Sequence, residues 1–184
     1  MTGRTLVAGC GNIFLGDDGF GVEVARRLAE VPMPEGVKVA DFGIRGVHLA
    51  YELLDGYDTA ILVDATPRGE PPGTITVLEP EVDSQGRAAR ARDAQAPLID
   101  AHGMAPHEVL ELLGALGGSV GRLLLVGCEP AEVREHMGLS APVSAAVDEA
   151  VRVIRDLVAD GSTEEDRSRT PHDDTKGEWT CSDA

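Results

Sequence analysis

Residues 6–34 read LVAGCGNIFLGDDGFGVEVARRLAEVPMP, and this stretch decides the fold. It opens with a short apolar run that ends in the glycine turn Gly9-Cys10-Gly11, which is typical of a buried strand and the turn after it. Apolar residues then recur at helical spacing, and two prolines stop the pattern. The helical positions are Phe20, Val24, Leu28 and Val31, and the prolines are Pro32 and Pro34. The stretch therefore predicts a strand, a turn and a helix in succession.

The rest of the chain repeats this alternation. Apolar or alternating runs predict further strands at residues 37–42, 59–64, 74–78 and 123–127, and helical spacing predicts helices at 47–54, at 108–116 and after Ser140. Strands that alternate with helices predict an α/β fold, an open and mostly parallel sheet with helices on both faces. We expect one domain over residues 1–160. Residues 161–184 contain few apolar side chains and predict a disordered polar tail.

Composition narrows the functional classes. The chain has 32 acidic and 16 basic residues, for a formal charge of −16, so a nucleic acid would be repelled and a metal cation or basic surface attracted. The N-terminal residues lack the pattern of a signal peptide, and no apolar run is long enough to span a membrane. Three cysteines without CxxC spacing fit a reducing compartment. These features predict a cytoplasmic protein that binds neither nucleic acid nor membrane.

Polar side chains follow several of the predicted strands. Asn12, Asp17 and Asp18 come after the first strand, Asp41 ends the second, and Asp64 ends the third. Ligands of open α/β sheets bind in the crevice beyond the carboxyl ends of the strands. We therefore expect the functional site at this edge of the sheet.

The first turn also partly fits a dinucleotide-binding fingerprint. Gly9, Gly11 and Asp41 satisfy three of its positions, but Phe14 occupies the position of the third small residue. The adjacent Asp17 and Asp18 would compete with a pyrophosphate for the positive end of the helix. A nucleotide-binding enzyme is thus the weaker interpretation. Asp17 taken alone is interpreted as a helix N-cap.

Residues 9–22, GCGNIFLGDDGFGV, resemble the opening motif of the hydrogenase maturation endopeptidases, G-x-G-N-x-x-x-x-D-[DE]-G-x-G-V. Two further segments resemble that family. Ile61-Leu62-Val63-Asp64-Ala65 is similar to its strand that ends in an acid, and Ala101-His102-Gly103 is similar to its short histidine segment before a helix. The resemblance covers about residues 4–158 and leaves the tail outside.

The resemblance implies a twisted sheet of about five strands and an endopeptidase that removes the C-terminal extension of a [NiFe]-hydrogenase large subunit after nickel insertion. It implies that Asp18, Asp64 and His102 form both the metal-recognition site and the catalytic site. The first of these is often Glu in the family, so Asp18 is one methylene shorter. The nickel would be brought by the substrate, the large-subunit precursor, while zinc or another divalent ion would also occupy the site in vitro. We expect a monomer.

The residue types leave the mechanism open. Two carboxylates and an imidazole suit Ni²⁺, Zn²⁺ or Mn²⁺. A metal there would polarise the scissile carbonyl or activate a bound water, or else one carboxylate would act as general base. A cysteine peptidase using Cys10 or Cys128 with His102 is a further alternative, as is a nickel-binding maturation chaperone that does not cut. Glu129 is a candidate for the cleft wall.

Overall fold

We describe the protein from a computed structural model. It describes residues 3–80 and 106–167, with the side chains of residues 3–80 and 108–160. The strands are β1 (Thr5–Cys10), β2 (Val37–Gly43), β3 (Thr59–Ala65), β4 (Ile75–Leu78) and β5 (Arg122–Cys128). The helices are α1 (Phe20–Ala29), α2 (Gly46–Leu53), α3 (Pro106–Ala115) and α4 (Ala141–Arg167), and a single 3₁₀ turn (Asp17–Gly19) precedes α1.

The five strands form one sheet in the order β2-β1-β3-β5-β4. All neighbouring pairs are parallel except β4 and β5, which are antiparallel at one edge. The prediction of an α/β fold with a mostly parallel sheet of about five strands is confirmed. The predicted elements are present, and most of their boundaries differ from the prediction by one or two residues. The prediction succeeds because the apolar runs that mark the strands are local features of the sequence.

The sheet is buried on both faces, which explains why its central strands are almost continuously apolar. One face packs under α1 and α4, and the other packs under α2 and α3. The first layer contains Val7, Ile61, Val63, Leu124 and Val126 with Phe20, Leu28, Val147 and Ile154. The second contains Leu6, Ala8, Leu62, Leu123 and Leu125 with Leu49, Leu53, Leu110 and Leu113. Aliphatic side chains thus supply most of the core.

The strand order creates a crevice at the carboxyl ends of β1 and β3. The chain crosses from β1 to β2 on one side of β1, whereas β3 pairs with β1 on its other side. In open α/β sheets, ligands bind beyond the carboxyl ends of the strands at the point where the strand order reverses in this way. The turn after β1 carries Asp17 and Asp18, and β3 ends with Asp64-Ala65. The fold therefore directs both predicted aspartates to this crevice.

The C-terminal helix is longer than expected. α4 continues to Arg167, past the predicted start of the tail at residue 161. Val158 is buried in the core, and the domain boundary at residue 160 stays a prediction. Residues 168–184 lie outside the described residues, and the disordered tail stays a prediction. In the part of the chain that is described, no helix has the length and apolarity required to cross a bilayer.

Candidate active site

Glycines allow the first turn to lie directly against the ends of the strands. A Cβ atom at Gly21 would overlap the carbonyl oxygens of Val63 and Cys10, and one at Gly9 would overlap the carbonyl of Gly21. Gly11 has a φ of 117° and would place a Cβ atom on the Asp18 carbonyl. Any side chain at these positions would push α1 away from the sheet. The glycines of the motif therefore hold the turn that carries Asp18 close to Asp64.

Asp18 and Asp64 form a pair of neighbouring carboxylates in this crevice. The Asn12 N–H donates to Asp18 Oδ2 at 2.7 Å, and the Ala65 N–H donates to Asp64 Oδ1 at 2.8 Å. Asp64 is buried, with 7% of its surface exposed, whereas Asp18 is half-buried. Burial and the negative charge of Asp18 raise the pKa of Asp64 from 3.8 to about 7, and the Ala65 N–H opposes this only in part.

This pKa has a chemical consequence. Near neutral pH the Asp64 carboxyl exchanges a proton readily, which suits a general acid or base. A cation between the two carboxylates would remove their repulsion and favour the charged form of both. The pair is therefore suited to share either a proton or a metal ion.

Asn12 organises the turn from which Asp18 projects. Its side-chain Oδ1 accepts a hydrogen bond from the Phe14 N–H at 3.0 Å, while its own N–H bonds Asp18. Asn12 therefore stabilises the turn through hydrogen bonds that involve backbone groups on both sides. The same residue thus fixes the turn and holds one carboxylate of the pair.

Asp17 serves a different purpose from its neighbour. Its carboxylate is fully buried and accepts hydrogen bonds from the backbone N–H groups of Ala131, Glu132 and Ser140 and from the Ser140 hydroxyl. Burial alone would raise the pKa of Asp17, but these four hydrogen bonds outweigh it and the pKa is lowered. Asp17 therefore anchors the loop after β5 to the turn after β1.

The N-cap interpretation of Asp17 is wrong for α1. The helix has Gly19 as its N-cap residue, with no side-chain cap, because both aspartates belong to the 3₁₀ turn that precedes the helix. The partners of Asp17 are 114 residues or more away in sequence, so no local pattern could have revealed them. Ser140, which directly precedes α4, donates its hydroxyl to Asp17 Oδ2.

Glu129 braces the segment that follows β3. Its buried carboxylate accepts the N–H groups of Arg68 at 2.6 Å and Gly69 at 3.2 Å. Thr66 in the same segment is also buried, and among the described residues its hydroxyl has no hydrogen-bond partner. Glu129 therefore acts on the site by positioning the chain just beyond Asp64.

The cysteines are poorly placed for nucleophilic catalysis. Burial, followed by the charges of Asp64 and Asp41, raises the pKa of Cys10 far above its ordinary value. Burial and nearby carboxylates, Asp17 first, raise the pKa of Cys128 to about 12. A cysteine nucleophile acts as the thiolate, which both environments disfavour. The arrangement argues against the cysteine-peptidase alternative.

The third predicted site residue, His102, lies outside the described residues. His48 is exposed on α2 and His136 is exposed in the loop after β5, and the side chain of His107 is not described. Among the described side chains, no group of three His, Cys, Asp or Glu residues could hold a metal ion. Of the three predicted site residues, the described part of the chain therefore brings Asp18 and Asp64 together at this crevice.

Comparison with known proteins identifies the scaffold on which these carboxylates lie. The chain matches the HycI family, described as hydrogenase maturation protease, over residues 22–157, which is well over half of its length. The chain belongs to the hydrogenase maturation protease family. The resemblance predicted from the motif at residues 9–22 is therefore confirmed.

Individual members of the family are similar over most of their length. The chain is 32% identical over 158 residues to the hydrogenase expression/formation protein HupD of Rhizobium leguminosarum bv. viciae, covering 83% of this chain and 74% of that protein. It is 28% identical over 177 residues to the hydrogenase 2 maturation protease of Escherichia coli K12, covering 92% and 99%. The solved structure of the E. coli hydrogenase maturating endopeptidase HybD has a TM-score of 0.66 and 27% identity, covering 85% of this chain and 93% of that one.

Family membership and the site geometry agree with each other. In this maturation protease scaffold the glycines of the first turn serve close packing against β1 and β3, so no dinucleotide is needed to explain them. The turn presents a carboxylate, Asp18, where the nucleotide-binding alternative requires room for a pyrophosphate. Both observations disfavour that alternative.

Proposed function

We propose that this protein is the endopeptidase that removes the C-terminal extension of a [NiFe]-hydrogenase large subunit after nickel insertion. Asp18, Asp64 and His102 recognise the nickel carried by the precursor and form the catalytic site. The observation that carries the proposal is the pair of adjacent carboxylates at the β1–β3 crevice, one of them buried with its pKa raised to about 7.

The pair supports recognition of a cation. Two carboxylates held close together repel each other, and a divalent ion relieves that repulsion. The Asn12 and Ala65 N–H groups already fix one oxygen of each carboxylate, so the side chains are oriented before a metal arrives. Two carboxylates with an imidazole suit Ni²⁺, and Zn²⁺ or another divalent ion would bind the same donors in vitro.

The direction of the chain before β5 supports His102 as the third ligand of the nickel. α3 ends at Ala115, shortly before β5 begins at Arg122, so the start of the helix at Pro106 points toward the opposite end of β5. That end is the carboxyl edge, where Asp18 and Asp64 lie. His102 precedes Pro106 by four residues in the sequence.

The nickel positions the precursor peptide, and the carboxylates handle the proton. Asp64 in its charged form, which the neighbouring cation favours, takes a proton from the water that attacks the scissile carbonyl. The same group, once protonated, returns that proton to the leaving amine. The neighbouring Asp18 stays bound to the Asn12 N–H throughout.

The test is processing of a purified precursor. The protein is incubated with nickel-loaded and with nickel-free large-subunit precursor, and the precursor mass is followed. We expect shortening by the C-terminal extension with the nickel-loaded form only. We also propose that the enzyme is a monomer and acts in the cytoplasm, where the hydrogenase is assembled. Nickel-dependent binding without shortening would instead support the non-catalytic maturation chaperone.

Matched variants assign the residues. Asp18→Asn and His102→Ala are expected to abolish processing while the protein stays folded, and His48→Ala, which changes an exposed histidine on α2, is expected to process at the wild-type rate. Full activity of His102→Ala would remove the histidine from the site.

A further inference from the structure

A shallow groove borders the carboxylate crevice. It lies between the turn after β1 and the loop after β5, has a volume of about 470 Å³, and is lined by Asn12, Phe14, Leu15, Glu135, His136 and Met137. Phe14 is 61% exposed and Met137 is 64% exposed, the two largest exposed fractions among the large apolar side chains described. Two large apolar side chains therefore face water on either side of one groove.

The walls of the groove are fixed by hydrogen bonds. The Gly16 N–H donates to the His136 carbonyl at 2.7 Å, and the His136 N–H donates to the Phe14 carbonyl at 2.9 Å. The four hydrogen bonds to the buried Asp17 carboxylate join the same two segments. These hydrogen bonds keep the apolar side chains of Phe14 and Met137 exposed to water, and hydration of apolar surface is unfavourable. Burial of the two side chains against a partner would recover that free energy.

The groove is continuous with the site of the proposed function. Asn12, which lines it, bonds Asp18 through its N–H and the Phe14 N–H through its side chain. One tight turn therefore carries both the apolar wall and a carboxylate of the pair. A peptide recognised at Asp18 and Asp64 reaches the groove by crossing Asn12.

Charge restricts what the groove accepts. Glu135 is the acidic side chain of its lining, whereas Glu132 in the same loop is paired with Arg134 at 2.8 Å and adds little net charge. The whole chain carries a formal charge of −16. An acidic segment would be repelled at this place, and an apolar segment without acidic residues would be accepted.

We propose that this groove docks an apolar, non-acidic segment of the large-subunit precursor, adjoining the part recognised by the two carboxylates. The docking rests on the proposed function, and it supplies affinity for the precursor while the carboxylates carry out the cleavage. Phe14 and Met137 are the contact residues, and they determine how tightly a given precursor is held.

The test separates affinity from chemistry. The double variant Phe14→Ser/Met137→Ser is compared with Phe14→Leu/Met137→Leu, which keeps the apolar contact, and with Leu116→Ser, which removes an exposed apolar side chain near the amino edge of the sheet. KM and kcat are measured with nickel-loaded precursor, and Kd is measured with nickel-free precursor, which is not expected to be cleaved. Thermal unfolding checks each fold, and the single variant Met137→Ser provides a milder version.

The serine double variant is expected to raise KM and Kd at least tenfold with kcat within twofold of wild type. The leucine variant and Leu116→Ser are expected to stay within threefold on every parameter. A folded serine variant with unchanged KM and Kd, while the wild type cleaves normally, would overturn the docking and leave the proposed function standing. A change confined to oligomeric state would assign the groove to a second copy of the chain and would also overturn it. If the wild type neither binds nor cleaves the precursor, both proposals fall.

Discussion

Replacing Asp64 by asparagine is expected to stabilise the protein at neutral pH and to abolish processing. The substitution removes a carboxylate that is 7% exposed and lies beside the negative charge of Asp18. The asparagine keeps an oxygen for the Ala65 N–H, which donates to Asp64 Oδ1 at 2.8 Å, so the local hydrogen bond is retained. Only the charge and its proton are lost.

The magnitude follows from the pKa. Its rise from 3.8 to about 7 is about three units, and each unit corresponds to about 1.4 kcal/mol, which gives about 4 kcal/mol. Between these two pH values the folded protein keeps the proton that the unfolded chain releases. The free energy of unfolding therefore falls as the pH rises from about 4 to about 7. The full destabilisation of about 4 kcal/mol therefore applies above about pH 7, and none of it applies below about pH 4.

Urea unfolding of wild type and Asp64→Asn at several pH values measures this effect. The variant is expected to be more stable by up to about 4 kcal/mol at pH 8, with the difference shrinking to near zero at pH 4. A variant that is no more stable than wild type at pH 8 would refute the claim that Asp64 is a buried acid with a raised pKa. A variant that still processes precursor would refute its catalytic role.

Three other predictions concern the frame of the site. Asp17→Ala leaves three backbone N–H groups and a hydroxyl without their acceptor. It is expected to lower the free energy of unfolding by about 3 kcal/mol, measured by urea unfolding at pH 7, and a loss below about 0.5 kcal/mol would contradict the anchoring role. Gly21→Ala forces α1 off the sheet and is expected to reduce both Tm and processing, whereas Gly56→Asn, at a glycine with φ of 78° and no atom near its Cβ position, is expected to change neither. Cys10→Ala and Cys128→Ala are expected to retain processing in the precursor assay, because the raised pKa of both thiols keeps them protonated. Loss of cleavage with an intact fold would support the cysteine mechanism.

Much of the fold was predictable because its signals are local. An apolar run that ends in a glycine turn marks β1, and helical spacing from Phe20 marks α1, so neither needs a distant partner to be recognised. The places of Asp18 and Asp64 at the carboxyl edge also follow from the alternation of strands and helices. His102 rests on the motif and on its place in the sequence just before α3, and it stays a prediction.

Other features depend on residues far apart in the chain. The sequence contains glycines at positions 9 and 21. It does not show that the backbones of Gly9 and Gly21 pack against each other, or that Gly21 lies against Val63. The pKa of Asp64 depends on its burial and on its distance from Asp18, and neither is a property of the segment around residue 64.

The sequence by itself determined the order of the strands and helices, the acidic motif of the first turn and the family it resembles. The tertiary structure decided what each of the two adjacent aspartates does. In the 3₁₀ turn Asp17 and Asp18 lie side by side, yet Asp17 bonds the loop after β5 and Asp18 lies beside Asp64. The reason is physical, because consecutive side chains of a turn point in different directions and their partners come from strands that meet only in the folded sheet.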